Sequence, residues 1–202
     1  AYDYRDIYEN DLENLVKGGQ RWYGEEFDVN LSQNFNFSIP NIAAAPIRYQ
    51  VSYASNSRTT GNQITLKNGS ELIGQMVMPH SGSYYQRGTL QCADSTPSSS
   101  LNLNVTVNRL NPSVVTYLDR ILINAQRNLV FVGSQFNFRV AKWSTNSTIA
   151  AYEISNGNAN TFVWDISDRH LPVRVPTNAQ GNQISFKTSA SYKEFVVANG
   201  SS

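Results

Sequence analysis

The feature that most constrains this chain is alternation. From Phe27 onward, apolar and polar residues trade places. Phe27, Val29 and Leu31 would share one face, and Phe35, Phe37 and Ile39 form a second run that Pro40 stops. A period of two marks a strand with one face buried. Ser32-Gln33-Asn34, between the two runs, predicts a bend or bulge. Short extended runs follow at 47–54, 63–66, 72–78, 84–92 and 101–107. Asn68-Gly69 predicts a hairpin turn, because both residue types tolerate positive φ. Segment 94–100, Asp-Ser-Thr-Pro-Ser-Ser-Ser, has the composition of an exposed loop.

The longest apolar stretch is 114–124. A helix is possible there, but its β-branched content and the alternation of Ile121 and Ile123 favour a strand. On a regular strand Tyr117, Asp119, Ile121 and Ile123 face one way, and Leu118, Arg120 and Leu122 the other. Asp119 then sits among apolar residues with Arg120 pointing away. It must lie at an exposed strand end or pair with a donor distant in sequence. Further runs at 129–132, 136–140, 148–154, 162–166, 173–175, 183–186 and 192–197 read as short strands, with turns at Asn156-Gly157-Asn158 and Gly181-Asn182. So many strands without a convincing helix predict an all-β fold. We expect an antiparallel jelly-roll-like β-sandwich at 25–127, followed by a smaller packed antiparallel β module at 128–202. Residues 1–24 read as a lead-in or linker. In it Leu12, Leu15 and Val16 form at most one helical turn, closed by Gly18-Gly19.

Charge narrows the function classes. Sixteen basic and fifteen acidic residues leave a net charge of +1, so no electrostatic argument favours nucleic acid or an anionic membrane. No apolar run approaches the roughly 20 residues of a membrane helix. The charged start, Ala1 to Asp6, is unlike a signal peptide, and the end, Val197 to Ser202, looks like a strand cut short. The expectation is a cytosolic protein or an excised or mature segment. Asn-x-Ser/Thr triplets at Asn30, Asn36, Asn68, Asn104, Asn146 and Asn199 would be glycan acceptors in a eukaryotic secreted chain. In a chain this rich in Asn, Ser and Thr, such triplets also arise by chance.

Candidate chemistry is sparse. Cys92, the single cysteine, cannot form an internal disulfide or a thiolate zinc site. As a nucleophile it would need His80 or His170 to hold a thiolate, and it lacks a glycine-rich elbow. It reads as a packed strand residue. Both histidines lie in turns. Glu9, Asp11 and Glu13 could attract a cation, but read more simply as a solvated face. Glu25, Glu26 and Asp28 could pair as glycosidase acids, yet 26 and 28 on a strand merely share a face. Trp164-Asp165 looks like a β corner in which the indole packs and the aspartate caps the turn. Trp22-Tyr23 and Tyr84-Tyr85 lie in or near loops, where aromatics can stack sugar rings; in context Trp22 reads instead as the residue that anchors the chain as it enters the first core strand at Phe27. The strand 118–123 also resembles the late strand of jelly-roll carbohydrate modules. No residue is assigned as catalytic, cofactor-binding or metal-binding.

Four motifs add a resemblance. Glu9-Asn10-Asp11 with Glu13-Asn14, then Gly18-Gly19-Gln20-Arg21-Trp22-Tyr23-Gly24-Glu25, form the first. The second is Tyr117-Leu118-Asp119-Arg120-Ile121-Leu122-Ile123-Asn124-Ala125-Gln126-Arg127. Phe162-Val163-Trp164-Asp165-Ile166-Ser167 and Ser191-Tyr192-Lys193-Glu194-Phe195-Val196-Val197 complete the set. In this order and spacing they resemble the region before the peptidase domain in the gingipain-like cysteine peptidases, the sortases of type IX secretion in Bacteroidetes. Gln20, Asp168-Arg169 and Ala198 depart from the family pattern. The family's catalytic His and Cys lie beyond its last matching strand, so no catalytic residue carries over, and Cys92 matches none. The resemblance implies an exported parent enzyme at the outer-membrane surface that removes C-terminal signals from cargo and attaches the cargo to anionic lipopolysaccharide. This chain would be a non-catalytic accessory region with no cofactor. Its implied partners are the downstream peptidase domain and outer-membrane secretion proteins, with no direct membrane span. A carbohydrate-binding jelly roll and a purely structural adhesion domain are the alternatives.

Overall fold

The computed structural model describes residues 1–80, 82, 84–140 and 148–200; Asn146 lies outside them. Every regular element among the described residues is a strand, and no helix there is long and apolar enough to cross a membrane. Two compact units form. One comprises Arg5–Ala125, the other Ala1–Tyr4 with Gln126–Ser202.

The first unit is built from β1 (Tyr2–Glu9) from Arg5 onward, β2 (Glu26–Phe27), β3 (Ser32–Ser38), β4 (Ile47–Ser55), β5 (Gln63–Asn68), β6 (Glu71–Val77), β7 (Gln86–Asp94), β8 (Ser100–Asn108) and β9 (Thr116–Arg127) as far as Ala125. One sheet runs β1-β9-β4-β7 with β2 also on β9, and the other runs β3-β8-β5-β6. Alternate residues point inward. Tyr49, Val51 and Tyr53 of β4 and Leu101, Leu103, Val105 and Val107 of β8 are buried. Packing is close enough to require glycine at two sites. A Cβ on Gly88 would lie 2.3 Å from the Tyr53 ring, and one on Gly74 would lie 2.6 Å from the Cβ of Cys92. The outward residues explain the Asn/Ser/Thr content. Asn34 and Asn104 face each other across β3 and β8. The Asn104 amide donates to Asn34 at 2.8 Å and to Ser32 at 2.9 Å, so neutral groups satisfy one another on a solvated face.

The structure moves several expected features. The break after Phe27 falls at 28–31, where Val29 is 97% exposed, and Ser32 to Asn34 pair with β8 without a shift. Residues 14–19 form a turn rather than a helical face. In the β5–β6 hairpin Asn68 is the last paired residue, and Gly69 alone takes the positive φ, at 57°. Only a two-residue bridge, Val130 to Ser155, survives from the strand expected at 129–132.

The second unit contains β10 (Gln135–Val140), β11 (Ile149–Ser155), β12 (Thr161–Asp165), β13 (Val173–Val175), β14 (Asn178–Gln180), β15 (Gln183–Ser189) and β16 (Lys193–Asn199). Its sheets run β10-β16-β12-β13 and β11-β15-β14, all pairs antiparallel. Its core is aromatic. Phe138, Tyr152, Phe186 and Phe195 make mutual ring contacts at centroid distances of 4.8 to 5.5 Å.

Candidate functional site

A polar network lies where the lead-in segment meets β9, and a bulge creates it. Tyr53 pairs with Leu118, but the next residue back on β4, Ser52, pairs with Arg120. Asp119 is therefore the extra residue of a β-bulge. The bulge resets the alternation, so Leu118 and Ile121, not Asp119 and Ile121, face the same core. It also turns the Asp119 carboxylate, 3% exposed, toward the lead-in segment. Arg21 meets it with both arms, Nε to Oδ1 at 3.2 Å and Nη2 to Oδ2 at 2.6 Å. The hydrogen bond to Asp119 pushes the guanidinium pKa further up. This is the distant donor the sequence required.

The segment after Arg21 runs along β9. Gly24 N donates to Leu118 O at 2.6 Å, Leu118 N donates to Glu25 O at 2.9 Å, and Glu26 pairs with Tyr117. A Cβ on Gly24 would stand 3.0 Å from the Asn10 carbonyl, so this position favours glycine for close approach. Tyr23, not Trp22, is the anchor. Tyr23 is buried and bridges to Glu13, whereas Trp22 is 46% exposed.

Each carboxylate of the set Glu25, Glu26 and Asp28 has its own partner. The Tyr8 hydroxyl donates to Glu25 Oε1, and Asn10 Nδ2 approaches the same oxygen at 3.3 Å. Tyr117 donates to Glu26 at 2.6 Å, with Tyr85 edge-on to its ring. Arg109 pairs with Asp28 at 2.7 Å. Burial first, then the neighbouring carboxylate, pushes the Tyr8 and Tyr117 phenols up, so both serve as protonated donors at neutral pH. Glu9, Asp11 and Glu13 are exposed. No group of three or more His, Cys, Asp or Glu stands ready to hold a metal ion among the described residues.

The other candidates do not converge chemically. Burial pushes the Cys92 thiol up to about 11, so it stays protonated at neutral pH and is a poor nucleophile. His80 and His170 are exposed. Asp165 caps its turn by accepting from Ser167 Oγ at 2.6 Å and Ser167 N at 3.1 Å. The Trp164 indole, 39% exposed, does not pack into that corner as expected.

Asp165 also pairs with Lys193. Burial opposes its ionisation, but the bonds from Lys193 and Ser167 outweigh that, and its pKa is held below the usual range. A folded-state pKa below the unfolded value of about 3.9 gives stability that is present above that pH. It is lost as pH falls through the folded pKa. Lys193→Met should therefore lower the melting temperature at neutral pH and converge on the parent as the pH falls through the lowered folded-state pKa of Asp165. Melts at stepped pH test this, and a deficit that persists undiminished in acid would contradict it.

No protein-family model and no curated protein match the chain. Among solved structures it is similar to dimeric latent PorU from Porphyromonas gingivalis, with 18% identity and a TM-score of 0.77 over 98% of this chain. The chain spans 20% of that protein's length. At this identity the likeness shows a shared all-β fold. Two carbohydrate-binding modules are more distant. The CBM36-1 domain of a multidomain xylanase from the hindgut metagenome of Trinervitermes trinervoides has 14% identity, 59% of this chain and 96% of that one, and a TM-score of 0.42. A CBM36 module in complex with calcium and xylotriose has 14% identity, 60% and 98% coverage, and a TM-score of 0.38. Likeness at those scores carries no argument.

Proposed function

We propose that this chain is the non-catalytic, β-rich accessory region of a cell-surface gingipain-like cysteine peptidase, the class that cleaves C-terminal signals from cargo in type IX secretion. The observation that carries the reading is the fold correspondence with PorU across 98% of the chain. The four ordered motifs agree with it. The state of Cys92 supports a non-catalytic role, since its raised pKa leaves little thiolate.

Within the parent, we assign the region a docking role. On β12 and β16 the inward residues Val163, Phe195 and Val197 are fully buried, so Phe162, Trp164, Val196 and Ala198 face outward. Trp164 lies opposite Val196 and Phe162 opposite Ala198, and Arg174 lies 4.2 Å over the Phe162 ring. An apolar row of this kind on a sheet exterior suits coverage by another domain; the peptidase domain is the occupant in this reading, with outer-membrane secretion proteins as further partners. The test is peptide cleavage. The purified chain should leave a fluorogenic peptide panel uncleaved. Turnover that Cys92→Ala abolishes would overturn the reading.

A further inference from the structure

Trp22 stands apart from the network that surrounds it. Its neighbours are pinned, Arg21 on Asp119 and Tyr23 in the bridge to Glu13. The indole is therefore held outward on a fixed backbone. Beside it, residues 14–19 close on themselves. Asn14 Nδ2 donates to Gly19 O at 2.8 Å, Asn14 Oδ1 accepts from Val16 N at 3.2 Å, and Lys17 takes a positive φ of 51°. Glu13, Asn14, Lys17, Gly18 and Trp22 together line an open recess of about 410 Å³. The loop uses the Asn14 amide. The Glu13 carboxylate, the Lys17 ammonium and the indole Nε1 enter no hydrogen bond or ion pair among the described residues.

We propose that this recess is a saccharide-binding site. A pyranose ring has an apolar C–H face and a rim of hydroxyls. The indole offers a flat apolar wall for the first. Glu13 accepts from the hydroxyls, and Lys17 and the indole Nε1 donate to them. The recess has one aromatic wall and no deep apolar pocket, which disfavours an anchored peptide side chain. Glu13 and Lys17 cancel in charge, which favours a neutral ring over an ion. The volume falls within the range of small-ligand sites. This inference goes beyond the accessory-region reading and does not depend on it.

The test uses the whole chain on an array of neutral hexose and pentose oligosaccharides and uronic-acid oligosaccharides, with hits measured by calorimetry. Binding to neutral oligosaccharides is expected. Trp22→Ala should weaken it about tenfold or more, a change equivalent to the loss of one stacking contact. Trp22→Phe should retain part of it, and Tyr192→Ala, at an exposed aromatic outside the recess, should leave it unchanged. Melting curves confirm that each variant is folded, and Glu13→Gln or Lys17→Met replaces any that is not. A blank array, binding confined to uronic acids, or affinity that survives both the Trp22 and Lys17 substitutions overturns the proposal.

Discussion

Phe195→Ala should lower the unfolding free energy by about 3–5 kcal/mol, the range for truncating a large buried aromatic. Phe195 is fully buried, and its ring contacts Phe138 at 5.0 Å, Phe186 at 5.2 Å and Tyr152 at 5.3 Å. Alanine removes the transfer free energy of the ring and leaves a cavity among three rigid rings that cannot collapse into it. Phe195→Leu fills part of that space and should lose less. Tyr192, 53% exposed three residues earlier, is the control, and its alanine variant should stay within about 0.5 kcal/mol of the parent. Urea unfolding reads all three. A Phe195→Ala loss below about 1 kcal/mol would contradict the aromatic core described for this unit.

Arg21→Ala should lower stability by about 2–3 kcal/mol. Removing one partner from a fully buried pair costs about 3–5 kcal/mol, because a desolvated charge is left without compensation. Arg21 itself is 41% exposed while Asp119 is 3% exposed, so water reaching the vacated side of the carboxylate reduces that loss. The asymmetry supplies the test. In the Arg21→Ala background, Asp119→Asn removes the orphaned charge and should recover part of the stability. In the parent it breaks a two-armed pair and should be destabilising. Strict additivity of the two substitutions in denaturant unfolding would mean the pair is not coupled.

The strands were legible because burial on one face writes itself into every second residue. β8 shows this pattern directly, with Leu101, Leu103, Val105 and Val107 buried between polar neighbours. What failed to show is instructive. β14 carries Asn178, Ala179 and Gln180, all exposed, so no apolar face announces it. The bulge at Asp119 was hidden because alternation assumes an unbroken register. One inserted residue reversed the faces of everything before it relative to Ile121. Arg21, 98 residues away, could be inferred only as a requirement that a buried carboxylate find a donor. Trp22 and Tyr23 illustrate a different limit. Neighbours on an extended chain point to opposite sides, and composition does not say which is inward. The exposed tryptophan, expected as the anchor, is what left the Glu13–Lys17 recess unrecognised.

Under the proposed function, this fold serves a peptidase whose chemistry resides elsewhere in the same polypeptide. The most direct measurement is to determine the coding sequence on the 3′ side of the Ser202 codon. Translation should continue into a domain carrying a histidine and a cysteine, and the continuous product should cleave peptides in a manner lost when that cysteine is replaced. A stop codon at that point, or a following domain without such a pair, would contradict the proposed function.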